Sequence, residues 1–116
     1  MTPAGPRQIL GAAGEDLAAA WYEERGYRVV ARNWRCRQGE LDLVARTARM
    51  VIFCEVKTRS SLAFGSPFEA VTPTKRRRLR ALATAWLAET GTRTPEIRFD
   101  VAGLVGGRIE VMEAAF

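Results

Sequence analysis

The chain contains no histidine. That absence rules out Ser-His-Asp and Cys-His nucleophilic centres, and any zinc site built on imidazole. Cysteine is scarce too: Cys36 and Cys54 are the only two, they lack metal-ligand spacing, and they read as reduced structural thiols. No apolar run approaches the roughly 18 residues that cross a bilayer, and the N-terminus lacks the hydrophobic core of a signal segment. The expectation is a cytoplasmic protein whose chemistry, if it has any, uses carboxylates, lysine and a borrowed metal.

The charge that is present leans one way. A net charge of +5 and a pI near 10 favour a polyanionic partner. A length of 116 residues suits one domain with a core of its own. Residues 1–8, with two prolines and a glycine, read as a flexible N-terminal tail, and residues 9–116 as the single domain.

Periodicity gives the order of elements. Leu10, Ala13, Leu17, Ala18, Ala20 and Trp21 recur at helical spacing between Ile9 and Arg25, and Gly26 is a stop signal. Tyr27 to Arg32 predicts a strand and Asn33 to Gln38 a polar connection. Two central strands follow, Glu40 to Arg46 and Val51 to Thr58. Ser60 to Thr72 reads as a loop. Thr72 and Pro73 then open a second helix with an N-cap and a first-turn proline, and Gly91 closes it. Leu79, Leu82, Ala83, Trp86 and Leu87 form its apolar stripe. Glu96 to Leu104 and Arg108 to Met112 predict two more strands around Gly106-Gly107. This is a mixed α/β chain, ordered α-β-β-β-α-β-β, whose helices need a sheet to bury their stripes.

The stretch Phe53-Cys54-Glu55-Val56-Lys57 carries the chemistry. On a pleated strand Glu55 and Lys57 project side by side. They share a face with Val51 and Phe53, while Ile52, Cys54 and Val56 take the other, so a charged pair ends an otherwise apolar face. A hairpin turn within Thr47-Ala48-Arg49-Met50, with two or four loop residues, pairs positions whose numbers total 97 and sets Asp42 against Glu55. Opposed residues have Cβ atoms about 4.5–5.5 Å apart, close enough for two carboxylates to share one ion. A three-residue loop would instead set Asp42 against Cys54. Mg2+ or Mn2+ suits such a set: hard oxygen ligands from Asp42 and Glu55, with the Val56 carbonyl as another donor. Lys57 would orient a metal-activated water or meet charge developing on a phosphate. Taken alone, the three residues fit equally well a surface ion pair on a half-exposed hairpin.

The chain resembles the YraN family of uncharacterised bacterial proteins, within the PD-(D/E)XK restriction-endonuclease-like superfamily. The resemblance rests on Gly14-Glu15, Gly26-Tyr27, Arg32-Asn33, Gly39 to Leu43, Phe53 to Arg59, Phe64-Gly65, Lys75-Arg76 and Arg98 to Val101. It implies a single restriction-endonuclease-like domain, a mixed central sheet flanked by helices. The superfamily includes Holliday-junction resolvases and tRNA-splicing endonucleases. By this likeness Asp42 and Glu55 are metal ligands, Lys57 is the catalytic lysine, and Glu15 is the helix-borne acid that completes the site. Leu41 stands where the superfamily's nominal proline precedes the aspartate. Without the likeness, Glu15 reads as a first-turn acid complementing a helix dipole. Glu40 is an auxiliary ligand or the partner of a nearby arginine. Asp100 reads as structural, partnering Arg98 or a helix residue.

Nucleic-acid contacts are expected from Lys75, Arg76, Arg77 and Arg80, part of a basic block that includes Arg78 at the start of the second helix. A helix N-terminus favours phosphate and disfavours cations, so this block reads as a backbone contact rather than a stabilising feature. Four such contacts would give a log–log salt slope near −3.6 on duplex DNA. Arg35 and Arg37, with Arg32, form a second patch, and Arg59 is either a phosphate contact or an exposed strand end. Trp34 could stack on a base or cap the sheet edge, whereas Trp21 and Trp86 belong to the core. The expectation is a metal-dependent endonuclease acting on DNA, with RNA left open, selective for branched or damaged structure. A homodimer would suit symmetric cutting of two strands. The alternatives are a non-catalytic nucleic-acid-binding module and a subunit needing a partner to complete its site.

Overall fold

A computed structural model describes residues 6–59 and 66–116 of the protein. Helix α1 (Pro6–Glu24) precedes three antiparallel strands, β1 (Arg28–Cys36), β2 (Gly39–Arg46) and β3 (Met50–Arg59). A 3-10 turn (Pro67–Ala70) and helix α2 (Pro73–Thr90) cross over to β4 (Glu96–Val105), which pairs parallel with β3. Strand β5 (Arg108–Met112) returns antiparallel, so the five strands lie in chain order. Residues 1–5 of the tail and residues 60–65, which include the Phe64-Gly65 motif, lie outside the described residues. So does the side chain of Leu10.

The sheet is a wall with one helix on each side. Ala18, Ala19 and Tyr22 of α1 pack on Leu43, Ala45, Ile52, Cys54 and Ala102. Leu79, Leu82, Ala83 and Trp86 of α2 pack on Val44, Val51, Phe53, Phe99 and Val101. Alternate residues of β3, and of β2 from Leu43 onward, thus serve two separate cores, while Leu41 joins Val44 in the α2 core, so the alternation of β2 breaks at Asp42. Trp86 is buried, Trp21 is half-buried against the α1 core, and Trp34 is half-buried against the α2 core. Trp34 therefore packs at the sheet edge. Among the described residues no helix is long and apolar enough to cross a membrane.

The ends of α2 follow the sequence. Thr72 Oγ1 accepts from Lys75 N at 3.3 Å, Pro73 opens the helix, and Gly91 caps it with a left-handed φ of 64°. Two boundaries differ from expectation. Helix α1 already includes Pro6, inside the stretch read as tail. Strand β1 runs on to Cys36, through the segment read as a polar connection. It is an edge strand with exposed and half-buried residues, a bulge between Val29 and Ala31, and a left-handed Asn33 (φ 52°), features that blur its apolar period.

Among the described residues one charged side chain lies wholly inside. Asp100 is 0% exposed and fully bonded: Tyr22 Oη donates at 2.6 Å, Arg98 Nε and Nη2 at 2.8 and 2.9 Å, and Ala114 N at 3.0 Å. It ties α1, β4 and the C-terminal turn together. Both sequence alternatives for its partner are realised at once.

Candidate active site

The geometry begins at the hairpin. Thr47 N donates to Met50 O at 2.9 Å, leaving Ala48 and Arg49 as a two-residue loop. The Thr47 hydroxyl also accepts from Arg49 N and Met50 N, at 3.3 and 3.1 Å, so threonine holds the turn without Asn-Gly. The ladder pairs Leu43 with Cys54, Val44 with Phe53, Ala45 with Ile52 and Arg46 with Val51. The ladder ends there, and its register excludes Cys54 as the partner of Asp42 and, continued by one step, would set Asp42 against Glu55. There the side chain takes over from the ladder: Asp42 Oδ2 accepts from Val56 N at 2.8 Å.

Asp42, Glu55 and Lys57 open onto one cavity of about 320 Å³, whose far wall is Lys75, Arg78, Leu79 and Leu82 of α2. Burial, and then the charge of Glu55, push the Asp42 carboxyl up to about 7, against the opposing pull of the Val56 N–H and Lys57. Lys57 Nζ lies 2.9 Å from Glu55 Oε1, and the two side chains are 21% and 13% exposed. Burial works to lower the Lys57 pKa, but the hydrogen bond and charge of Glu55 outweigh it and the net shift is upward. Lys75 sits beside Lys57, whose positive charge lowers its pKa.

Glu15 reaches this site from the other layer. Gly14 allows it: a Cβ there would stand 2.7 Å from Thr58 Oγ1, so only glycine lets α1 lie this close to β3. One carboxylate oxygen each from Glu15, Glu40 and Asp42 falls within 4.8 Å of the others. Asn33 Nδ2 donates to Glu15 Oε2 at 2.7 Å, and Arg35 Nε pairs with Glu40 Oε2 at 3.1 Å. The four expected site residues, with Glu40 as a fifth, thus form two adjoining sets that share Asp42. Glu55 and Lys57 stand on one side, and Glu15 with Glu40 on the other. Glu40 is the partner of Arg35, one of its two sequence alternatives, and it lies beside Asp42. This collection of hard oxygen donors fits Mg2+ or Mn2+. The Val56 backbone is at the site through its hydrogen bond to Asp42.

The basic residues divide. Lys75 lines the cavity, and Arg59 is near enough for its charge to act on Lys75. Arg76 and Arg80 turn away: Arg76 Nε donates to Val71 O at 3.1 Å, and both guanidinium groups lie over Phe116, at 5.6 and 5.5 Å. Arg80 also stands 5.0 Å from the Phe99 ring. Arg77 donates to Thr74 Oγ1 at 3.3 Å on the exposed surface, Arg35 is engaged by Glu40, and Arg37 is exposed. Sequence reasoning counted Arg78 in the basic block without singling it out, and gave Asn33 no role. Arg78 lines the cavity, a position signalled by its place one helical turn after Lys75. Asn33 holds Glu15, and no spacing in the sequence announces that.

With this geometry established, comparison with known proteins gives the kinship. The model of an uncharacterised protein family, UPF0102, matches residues 14–104. The chain belongs to UPF0102. This is the YraN family to which its motifs pointed. A UPF0102 protein of Nocardia farcinica is 56% identical over 101 residues, covering 87% of this chain and 80% of the relative. A UPF0102 protein of Beutenbergia cavernae is 54% identical over 102 residues, covering 88% and 86%. One from Acidothermus cellulolyticus is 46% identical and covers 97% of both chains. The span matched by UPF0102 begins at Gly14, beside Glu15, and contains Asp42, Glu55, Lys57, Lys75 and Arg78.

Proposed function

We propose that this protein is a metal-dependent endonuclease that hydrolyses phosphodiester bonds in DNA, selecting branched or damaged structure rather than sequence. One observation carries the reading: Asp42 and Glu55, from the two strands of one hairpin, share a cavity with Lys57 and with two cations from α2. Pure binding gains nothing from carboxylates aimed at phosphate, so their presence among cations favours hydrolysis. Asp42, Glu55, the Val56 carbonyl and Glu15 would hold Mg2+ or Mn2+. When bound, the ion supplies polarisation of the phosphate and a more acidic water.

The chain's own residues do the rest. Lys57, exchanging its bond to Glu55 for one to the substrate, stabilises charge on the phosphate as it develops. Lys75 and Arg78 hold a phosphate oxygen from the α2 side, and Glu40 steadies Asp42's neighbourhood through Arg35. Contacts of this kind carry no base code, which supports selection by structure. The binding-only reading has one observation in its favour: Lys57 is already neutralised by Glu55.

The test compares wild type with Glu55→Gln on branched, flapped, duplex and single-stranded DNA, and on RNA, with Mn2+, Mg2+ or EDTA. The proposal expects metal-dependent cleavage that falls about 10²–10³-fold in the variant, the scale of losing one transition-state contact. Affinity in EDTA should be kept. Binding without cleavage by either protein would leave a binding module, and neither activity would point to a missing partner.

A further inference from the structure

The cations of β1 and β2 are not all placed alike. Arg32 pairs with Asp16 and Arg35 with Glu40. Arg28 and Arg46 have no carboxylate within ion-pair distance among the described residues. Yet they are direct partners in the β1–β2 ladder and project from the same face. Like charges set directly opposite one another across a ladder are destabilising. The arrangement is therefore unfavourable in the isolated chain, and an anion between the two arginines would relieve it.

There is room for one. Arg28, Arg46, Gly26, Thr47 and Ala48 line an open cavity of about 510 Å³. Arg46 Nε donates to Thr47 O at 3.2 Å, which anchors one edge of its guanidinium. Guanidinium groups present a planar fork of donors suited to phosphate oxygens. Asp42 and Arg46 are four residues apart on β2, or about 13 Å along a strand. A single phosphate cannot bridge that distance, and Val44 between them is buried under α2, so a polyanionic strand that occupies both places passes outside the helix. Among the described residues no aromatic side chain lines this cavity, so they offer no platform for a base.

We infer that Arg28 and Arg46 form a second phosphate-binding site, which holds nucleic-acid backbone away from the reacting phosphate. The inference rests on the reading of the Asp42 cavity as the place of hydrolysis, and it adds a distal contact that positions the substrate. Because Gly26, Thr47 and Ala48 belong to turns at the end of the sheet, the contact would be made with sugar-phosphate alone.

The experiment measures binding to labelled duplex and branched DNA in EDTA, over a series of salt concentrations, by fluorescence anisotropy. Arg28→Gln/Arg46→Gln is compared with wild type and with a charge-matched control, Arg93→Gln/Arg108→Gln. Two lost phosphate contacts should make the log–log salt slope shallower by about 1.8 and weaken binding roughly tenfold at 0.15 M salt. The control should change affinity less than twofold. The melting midpoint of the test variant should equal or exceed that of wild type, since repulsion is removed. If the double variant does not melt cooperatively, Arg28→Gln alone decides, with an expected slope change of about 0.9.

Affinity within twofold of wild type, or a loss matched by the control, overturns the inference. So does failure of the wild type to bind any of the DNAs, or an equal loss of binding to anionic phospholipid vesicles. Cleavage is scored separately in Mn2+. Wild type that binds through Arg28 and Arg46 but cuts nothing overturns the hydrolysis reading alone. Wild type that cuts while the variant binds normally overturns the distal site alone.

Discussion

Asp42 Oδ2 accepts a 2.8 Å hydrogen bond from the backbone N–H of Val56, so the strand that carries Glu55 and Lys57 also fixes the acid opposite them. The position of that carboxylate is set by backbone and not by side chains alone. Its environment opposes its ionisation, and the opposition has a consequence for stability.

Burial and Glu55 hold the folded pKa of Asp42 near 7, above the usual carboxylate value. The folded state therefore binds this proton more tightly than the unfolded state. The stabilisation is fully present below pH about 4 and is lost as pH rises through 7. In the Asp42→Asn variant the new amide would mimic the protonated acid, accepting from Val56 N and donating to Glu55. That variant is expected to be more stable than wild type at pH 8 by about 1–2 kcal/mol, with the gain shrinking by pH 4.5. Urea unfolding at the two pH values measures it, and equal differences at both would refute the coupling. The same variant should have no nuclease activity, because it has exchanged a ligand charge for stability.

Glu15 depends on Asn33, which occupies a left-handed backbone at φ 52° and donates to Glu15 at 2.7 Å. Asparagine tolerates this region better than most residues. Asn33→Gly keeps the backbone and removes the hydrogen bond, whereas Asn33→Ala removes both. Mn2+ affinity should fall about tenfold in each, as when an orienting partner of a ligand is lost. Only Asn33→Ala should also lose about 1 kcal/mol of stability through backbone strain. Calorimetric titration with Mn2+ separates the two effects. Unchanged affinity in Asn33→Gly would remove Glu15 from the metal set.

The sequence made the central hairpin legible because the side-chain period of a strand is two. Once the turn was confined to residues 47–50, Asp42 had to face either Glu55 or Cys54. The choice between them lies in the Thr47 hydroxyl, which accepts two backbone N–H groups and holds the shorter turn. Strand β1 was legible only in its first half. An edge strand buries little, so its arginines resemble those of a loop, and the bulge before Ala31 breaks the alternation. The basic block shows the same limit in a helix. Consecutive cations lie about 100° apart around the axis, and composition alone does not say which of them faces the cavity. The C-terminal Phe116, stacked on Phe99 at 5.0 Å, draws Arg76 and Arg80 to the other side.

That division predicts unequal effects from equal charge changes. Lys75→Gln/Arg78→Gln removes the two α2 cations that line the cavity. Arg76→Gln/Arg80→Gln removes two that rest on Phe116. The first pair should weaken DNA binding about tenfold at 0.15 M salt and flatten the salt slope by about 1.8. The second should leave affinity within about threefold and cost stability instead, about 0.5–1 kcal/mol for each lost cation–aromatic contact. Anisotropy and urea unfolding on the same preparations test both halves. Equal losses of affinity from the two pairs would mean that the whole helix start meets the substrate.

Asp100 offers a test of the fold with no part in the chemistry. Its carboxylate accepts from Tyr22, Arg98 and Ala114 while wholly buried, and each donor would be left without its partner by Asp100→Ala. Removing one member of a buried charge pair costs about 3–5 kcal/mol, because the remaining charge stays desolvated. Tyr22→Phe removes one neutral donor to a charged acceptor and should cost about 1.5–3 kcal/mol. The expected order in urea is wild type, then Tyr22→Phe, then Asp100→Ala. Cleavage per folded molecule should stay constant across the three, since the network lies on the α1 side of the sheet and the cavity on the α2 side. A Tyr22→Phe protein that is fully stable but inactive would contradict this separation, and would mean that the two helices act on the site through the sheet.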